Sequence, residues 1–506
     1  MSSTLAWRVG VAGGLIVSFA CYAWLGTRNP HVGFLADDAL YLLMAEILSP
    51  YREAMGAVYG HVARYSQLPP LFPLLLAFAG AGPDHLLPAR LVTAACMAAA
   101  WFVALAWFRQ RGLSRPLALA SALFCAFTPV TLLYASELWS EGLYVGLALL
   151  ALLCEGALSR RPSLVAVALL GVLVGCALET RSIGLALIPA LSVGLWRRRG
   201  TAVPVFLLAV ALTYAAFAPL DMGAAAPSYP ALMVGHYVAD PVAAATAQLD
   251  AVFARLPAAA LYEYFLLRDV TPWQGLALGL IGLCVLRGLW RELRERSVAG
   301  IYVATYLGIV LVWPFPEHLG RFLYPLLPWL CLFAWRGASA RWPVAGAVPL
   351  ALAALLAAPG LYALAGRAMT PVPAAGFDDF RMTRYWLDAS RQGDVMDQMA
   401  GLRAHLAASE RVASQVDADA CVYTTDIPLV LLHGRRPAFL PPPAARMAQG
   451  PPWGCAYFLL SSQAAAGRPA FYPLDFLRQH ATGLALVRRD GDDPQSPPVA
   501  LLMRVR

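Results

Sequence analysis

Asp37 and Asp38 stand side by side in FLADDALYLLMAEILSP, residues 34–50, just after the first apolar run of a chain that otherwise avoids charge. Adjacent carboxylates near a low-dielectric boundary oppose each other's ionisation, which is one way a carboxylate becomes a useful general base. The plainer role is to cap the helix that ALYLLMAE predicts, and one Asp suffices for that. Glu137 and Glu141 in ASELWSEGLYVG, residues 135–146, are one helical turn apart, which predicts a shared face at the outer end of a span. Two acids favoured by a helix dipole would look the same. Arg181 in ETRSIGLALIPAL, residues 179–191, and Arg321 in PFPEHLGRFLYPLLP, residues 314–328, occupy tight turns. Each has a local acid to pair with, Glu179 or Glu317. The alternative partner is an anionic substrate, because the guanidinium fork matches phosphate. His61 and His318 offer ligand nitrogens, although a lone histidine is more often a hydrogen-bonded surface residue. Carboxylates and arginines gathered at a lipid–water boundary suit group transfer from a lipid-linked phosphate: a carboxylate takes the acceptor's proton while arginine stabilises the departing phosphate.

The elements that must position these residues are membrane helices. Of 506 residues 59% are apolar and 13% charged, with a mean hydropathy of +0.61. Soluble domains carry about 25% charged residues, and one core cannot grow to this size. The expected architecture is mainly α: a polytopic membrane protein with about eleven transmembrane helices, at 9–26, 86–108, 117–135, 139–158, 163–178, 181–196, 201–219, 273–290, 298–315, 321–335 and 343–366. All the basic residues are arginines, an abundance that, with so much alanine, fits a GC-rich bacterial genome; without a lysine no Walker-type P-loop can form. The net charge of +8 does not point to nucleic acid, because Arg8, Arg109, Arg111 and Arg115, Arg160 and Arg161, Arg197–Arg199, Arg287–Arg296, and Arg336 and Arg341 all fall on one side of these spans. The positive-inside rule makes that side cytoplasmic, with the N-terminus inside and the first span a retained anchor rather than a signal peptide. The first external loop (27–85), a second large one (220–272) and everything after about 367 then lie in the periplasm. Within 27–85, ALYLLMAEILSP and PPLFPLLLAFAG suit helices lying in the interface rather than crossing it.

After Gly366 the polar residues return. CVYTT, PAFLP, CAYFLLSS and VALLMRV read as short strands, and RYWLDAS, MDQMAGLRAHLAAS and IPLVLLHG as helical pieces, which makes 367–506 a small external α/β domain beside a 1–366 membrane domain. Seven cysteines lie in apolar runs as packing residues. Cys421 and Cys455 fall in the external tail, where either a disulfide or two buried thiols would serve.

The pattern resembles the GT-C glycosyltransferases, in the bacterial branch related to protein O-mannosyltransferases and the lipid A aminoarabinose transferase (glycosyltransferase family 39-like). The resemblance runs over residues 30–335 through ADDALYLLMAEIL, YSQLPPLFPLLLA, SELWSEGLYVGLALLAL, LETRSIGLALIPAL and GRFLYPLLPWL, and PLVLLHGRRPAFLP is similar to the outer domain often joined to this group. It implies a polyprenyl-phosphate sugar donor, a glycan, lipid or protein acceptor, and catalytic acids at Asp37 and Asp38, with Asp37 as the general base of an inverting transfer. It implies a second acidic motif at Glu141 with Glu137 beside it. The family's first pair is often Asp-Glu where this chain has Asp-Asp. Some relatives have a lysine before the double proline, where this chain has Gln67 and Leu68, so contact with the donor phosphate passes to Arg181, Arg321 and Arg64. Tyr41, Glu317 and His318 fall at the rim. Asp37, Glu137 and Glu141 could also hold a divalent ion, Mg²⁺ or Mn²⁺, though the branch sets no clear requirement and no metal ligand is assigned.

Two other classes compete: a transporter or flippase of a lipid-linked or anionic substrate, and a non-catalytic assembly partner. A transporter calls for a midplane site and often for inverted repeats, neither of which this sequence offers.

Overall fold

In lipid a long apolar run can satisfy its backbone N–H and C=O groups only by forming a helix. The computed structural model is accordingly mainly helical, with one small sheet. It describes residues 3–29, 32, 37–51, 62, 68–158, 162–220, 234–238, 240–267, 270–313, 319–339, 343–369, 406–441, 454–461, 484–490 and 500–505. In chain order the helices are α1 (Ser3–Thr27), α2 (Asp37–Ile47), α3 (Leu71–Phe78), α4 (Leu86–Gln110), α5 (Arg115–Phe127), α6 (Pro129–Ser136), α7 (Glu141–Ala157), α8 (Leu164–Leu178), α9 (Leu187–Arg198), α10 (Ala202–Phe217), α11 (Pro241–Phe265), α12 (Pro272–Arg294), α13 (Val298–Leu311), α14 (Leu319–Leu323), α15 (Leu327–Ala338) and α16 (Ala347–Met369). A further helix, α17, covers 406–415.

A helix lies at each of the eleven expected positions, but among the described residues only four stretches are long and apolar enough to cross a membrane by themselves: Trp7–Thr27, Leu86–Gln110, Ala202–Leu220 and Ala347–Gly366. The pair α5 and α6, bent by 51°, makes a fifth if taken as one span. Some of the others are simply short, as α8 and α13 are at 15 and 14 residues, and some are interrupted. Thr128 ends α5 in extended backbone and caps α6, its hydroxyl accepting from the Thr131 N–H at 3.3 Å with Pro129 at the first helical position. A 3₁₀ turn at Ser182–Ala186 precedes α9, and another at Tyr324–Leu326 separates α14 from α15. These interruptions matter below, because they carry the charged residues.

α12 and α15 cross very closely. A Cβ on Gly288 would overlap the Phe333 carbonyl, and one on Gly337 would overlap the Cys284 carbonyl, so each helix presents a glycine to the other's backbone. Elsewhere the interior is lined by buried aromatics, including Trp107, Trp329, Tyr302 and Tyr324.

In the C-terminal part, β1 (Val422–Tyr423), β2 (Ala438–Phe439), β3 (Tyr457–Ser461), β4 (Leu484–Asp490) and β5 (Ala500–Val505) form one sheet in the order β2-β1-β3-β5-β4. β1 runs parallel to β2 and β3, with Val422 opposite Ala438 and Tyr457; β5 is antiparallel to β3 and β4. Cys421 and Cys455, just before the neighbouring strands β1 and β3, form a disulfide with their Cα atoms 4.9 Å apart. Four of these strands were expected; β4, with the polar sequence LALVRRD, was not. RYWLDAS lies outside the described residues. The sheet and the first loop share one apolar cluster, in which Val412, Val430, Leu431, Tyr457 and Leu502 join Ala39–Ala45, Phe72 and Leu76.

Gly337→Val should destabilise the α12–α15 crossing by about 1–3 kcal/mol or more, since backbone rather than a side chain must move. Gly308→Ala, where a Cβ meets nothing within 4 Å, is the neutral control for thermal denaturation in detergent. A second prediction concerns acid. Burial holds the His433 imidazole below its usual range near 6.5. The unfolded chain therefore binds the extra proton first, so the stability His433 contributes is full above that value and lost as pH falls through the lower folded value. Replacing it with Gln should flatten the acid limb of a melting-temperature profile.

Candidate active site

α2 opens with both acids. ALYLLMAE is rich in good helix formers, and carboxylates in the first turn are favoured by the dipole. Asp38 is buried, and its Oδ1 accepts the adjacent Ala39 N–H at 2.8 Å. Asp37 points elsewhere: its Oδ2 accepts from Arg321 Nη1 at 2.5 Å.

Arg321 sits on α14 and bridges, its Nε donating to Glu141 Oε1 at 2.8 Å. Arg181, between α8 and the 3₁₀ turn, donates to the same Glu141 oxygen. Glu141, the first residue of α7, is fully buried, while Arg181, Arg321 and Asp37 side chains retain 10%, 16% and 23% exposure. Its other oxygen, Oε2, is buried without a hydrogen-bond partner among the described residues. The Arg321 guanidinium lies 3.8 Å over the Trp139 ring and that of Arg181 5.8 Å from Phe322, so each cation also has an aromatic face. Tyr41 on α2 shares a 2.8 Å hydrogen bond with the Ser140 hydroxyl just before α7 and packs edge-on against Phe72. Burial, and next the Asp37 carboxylate, push the Tyr41 phenol above its usual range, so it stays protonated and able to donate.

The two glutamates do not share a helical face as expected. The helix stops at Ser136, Glu137 is extended, and α7 starts afresh at Glu141. Glu137 accepts the Trp139 indole N–H at 2.5 Å, whereas Glu141 faces the arginines. Arg181 and Arg321 both converge on Glu141 across the bundle. The ligand set Asp37, Glu137 and Glu141 does not assemble: Asp37 and Glu141 face guanidiniums, Glu137 faces an indole, and among the described residues no three His, Cys, Asp or Glu side chains gather around a point. Arg64, Glu317 and His318 lie outside the described residues.

Sequence reasoning missed Arg90. It is buried in α4, donates to the carbonyls of Ser136 at 2.8 Å and Asn29 at 2.6 Å, and is close enough to Asp38 and Glu137 to interact with both charges. The signal was an arginine one turn inside LLPARLVTAAC, an ionisable residue within an apolar span. Together these residues place three guanidiniums and four carboxylates at one end of the bundle. Such a site can bind a phosphate at Arg181 and Arg321 and offer a carboxylate to a hydroxyl beside it.

Glu141→Gln keeps the shape but leaves two largely buried arginines without their shared charge. It should cost roughly 3–5 kcal/mol, read as a lower melting temperature. Adding Arg181→Gln should recover part of that loss, because one uncompensated cation goes with it.

Compared with solved structures, the chain is similar to ArnT from Cupriavidus metallidurans. Against ArnT bound to undecaprenyl phosphate the match has 15% identity and a TM-score of 0.55, covering 98% of each chain. Against the apo state it has 15% identity and a TM-score of 0.53, covering 99% of this chain and 98% of that one. No family model matches the chain, and no curated protein matches it in sequence. The likeness to ArnT is one of fold, and it extends over nearly the whole length, the C-terminal part included.

Proposed function

We propose that this chain is a membrane glycosyltransferase of the GT-C type that moves a sugar from a polyprenyl phosphate to an acceptor hydroxyl. The observation that carries this reading is the convergence of Arg181 and Arg321 on Glu141, with Asp37 on the other side of Arg321. The pairing supplies phosphate donors and a carboxylate within one side-chain length of each other. The full-length fold likeness to ArnT, which has been crystallised with undecaprenyl phosphate, supports a polyprenyl phosphate as the donor's carrier.

The chemistry follows from the charges. A donor phosphate entering from the lipid competes with Asp37 for the partly exposed Arg321 and takes up Arg181 beside it. Asp37 Oδ then accepts the proton of the acceptor O–H. The oxygen attacks the anomeric carbon on the face opposite the phosphate, and the bond from that carbon to the phosphate oxygen breaks. The phosphate leaves with the electron pair, its charge held by Arg181 and Arg321, and the sugar carbon is inverted. Glu141 keeps both guanidiniums in place and need not move.

We place the site at the periplasmic face of a bacterial inner membrane. The arginine-rich ends of the helices gather away from the site: Glu155, near the end of α7, pairs with Arg198, while Glu141 opens the same helix about 21 Å away. By the positive-inside rule that end is cytoplasmic. The disulfide between Cys421 and Cys455 supports an oxidising compartment for the C-terminal part. With the N-terminus inside, eleven crossings, several made by interrupted helices, would connect the two faces, and 367–506 would form the external domain.

Asp37→Asn should retain donor but lower turnover by roughly 10²–10⁴-fold. Lipids co-purifying with this variant, identified by mass spectrometry, should include a polyprenyl-phosphate sugar, whose mass names the sugar; adding Arg321→Ala should remove it. Near-normal turnover in Asp37→Asn would overturn the base assignment. Substrate movement across vesicles without covalent transfer would instead make the protein a transporter.

A further inference from the structure

α2 is gripped from both ends by one segment of the C-terminal part. Before the helix, the Val32 carbonyl accepts from His433 Nε2 at 2.9 Å. At its far end Glu46 accepts from Arg435 Nη1 at 2.9 Å, and Arg435 Nη2 reaches Asp84 at 3.2 Å in the loop after α3. The Glu46 side chain is only 9% exposed, so this is no solvent-facing ion pair. Between these two contacts lie Asp37 and Asp38.

The gripping segment is itself unusual. Val430–Gly434 is a π-helix, a form that is rare and concentrates at functional positions. Gly434 packs so tightly that a Cβ would stand 3.0 Å from the Ser409 carbonyl and from the Val412 side chain. Arg435 follows in the left-handed region at φ 48°, where an L residue other than Asn or Asp is uncommon. A glycine would relieve that strain but could not supply the guanidinium. Strain retained at one residue suggests that its side-chain direction is what matters.

We infer that Arg435 is a positioning residue for the candidate active site: with His433 it brackets α2 and, through Glu46, sets where Asp37 meets Arg321. Its relevance to turnover rests on the proposed role of Asp37; the mechanical coupling does not. The C-terminal part is then a working half of the site, although none of its described residues joins the acid–arginine cluster.

The test uses the full-length protein in lipid nanodiscs, with Arg435→Gln, Arg435→Lys and Glu46→Gln. Hydrogen exchange is followed at residues 37–47, with residues 457–461 of β3 as the internal control for a folded sheet, and undecaprenyl phosphate affinity is measured in parallel. Arg435→Gln and Glu46→Gln should each speed exchange across 37–47 about tenfold while β3 stays protected, and weaken undecaprenyl phosphate by a similar factor. Arg435→Lys, which keeps the charge, should recover most of both. Parent-like exchange at 37–47 in Glu46→Gln, which leaves the C-terminal part untouched, overturns the inference even if Arg435→Gln fails to fold. Arg321→Ala separates the two readings: undecaprenyl phosphate binding unchanged there sinks the donor-site assignment, while the exchange result still decides the bracket.

Discussion

A guanidinium at the edge of an apolar bundle must have its charge answered, and the site is organised around answering that of Arg321. It draws one carboxylate from 284 residues earlier and another from 180 residues earlier. Leaving such a cation buried and unpaired would cost several kcal/mol, so these segments are constrained to arrive together. The constraint explains where the helices stop. Asp37 and Glu141 are the first residues of α2 and α7, Arg181 lies between α8 and a 3₁₀ turn, and Arg321 lies on a five-residue helix before another. Helix starts favour carboxylates, and interruptions let a charged residue leave a span without passing through lipid. The chain forgoes long uninterrupted helices at these points.

The opposite end of the bundle obeys the same electrostatic rule with a different outcome. Glu292 is also fully buried, but both its oxygens are taken: Arg111 reaches each of them, Arg336 donates to one and Ser297 to the other. That cluster is saturated and ties the ends of α4, α12 and α15 together. Glu141 differs because Oε2 has no partner among the described residues, and because Arg321 and Asp37 are partly exposed. A saturated buried cluster contributes structure, whereas an unsaturated one retains capacity for a ligand. On this comparison the acid–arginine cluster at Glu141 reads as a site.

How much of this was legible in the sequence depended on the range of the interaction. Local pattern sufficed for the helices, for the acids at the start of α2 and for the arginines in the tight turns. It also brought Asp37, Glu141, Arg181 and Arg321 to one end, because helix direction and arginine placement fix which turns share a face. It failed wherever a partner lay across the bundle. The spacing of Glu137 and Glu141 suggested one helical face, but Trp139 and Ser140 are drawn into contacts with Arg321 and Tyr41 and the helix breaks between the two acids. Arg90 was hidden by its apolar neighbours, since its reason for being there, the Ser136 and Asn29 carbonyls, is invisible to any window of sequence. The pairing of Cys421 with Cys455 rested on strand adjacency, and β4 on a partner strand at the end of the chain.

The position of α2 is the least self-sufficient feature of the fold. Eleven residues make about three turns, too short to hold a helix in water by propensity alone. Residues 38–46 are all buried, so every face is set by something else: α3, Ser140, and the C-terminal segment at Ile427–Arg435. The membrane helices determine where Arg321 and Glu141 stand, and Arg321 meets α2 at its acidic end. Its other end is oriented by parts of the chain outside the bundle. A pair of atoms 2.5 Å apart, Arg321 Nη1 and Asp37 Oδ2, is therefore the meeting point of two separately supported bodies. It follows that the C-terminal part influences the acid–arginine geometry through rigid packing, without needing to reach the site itself.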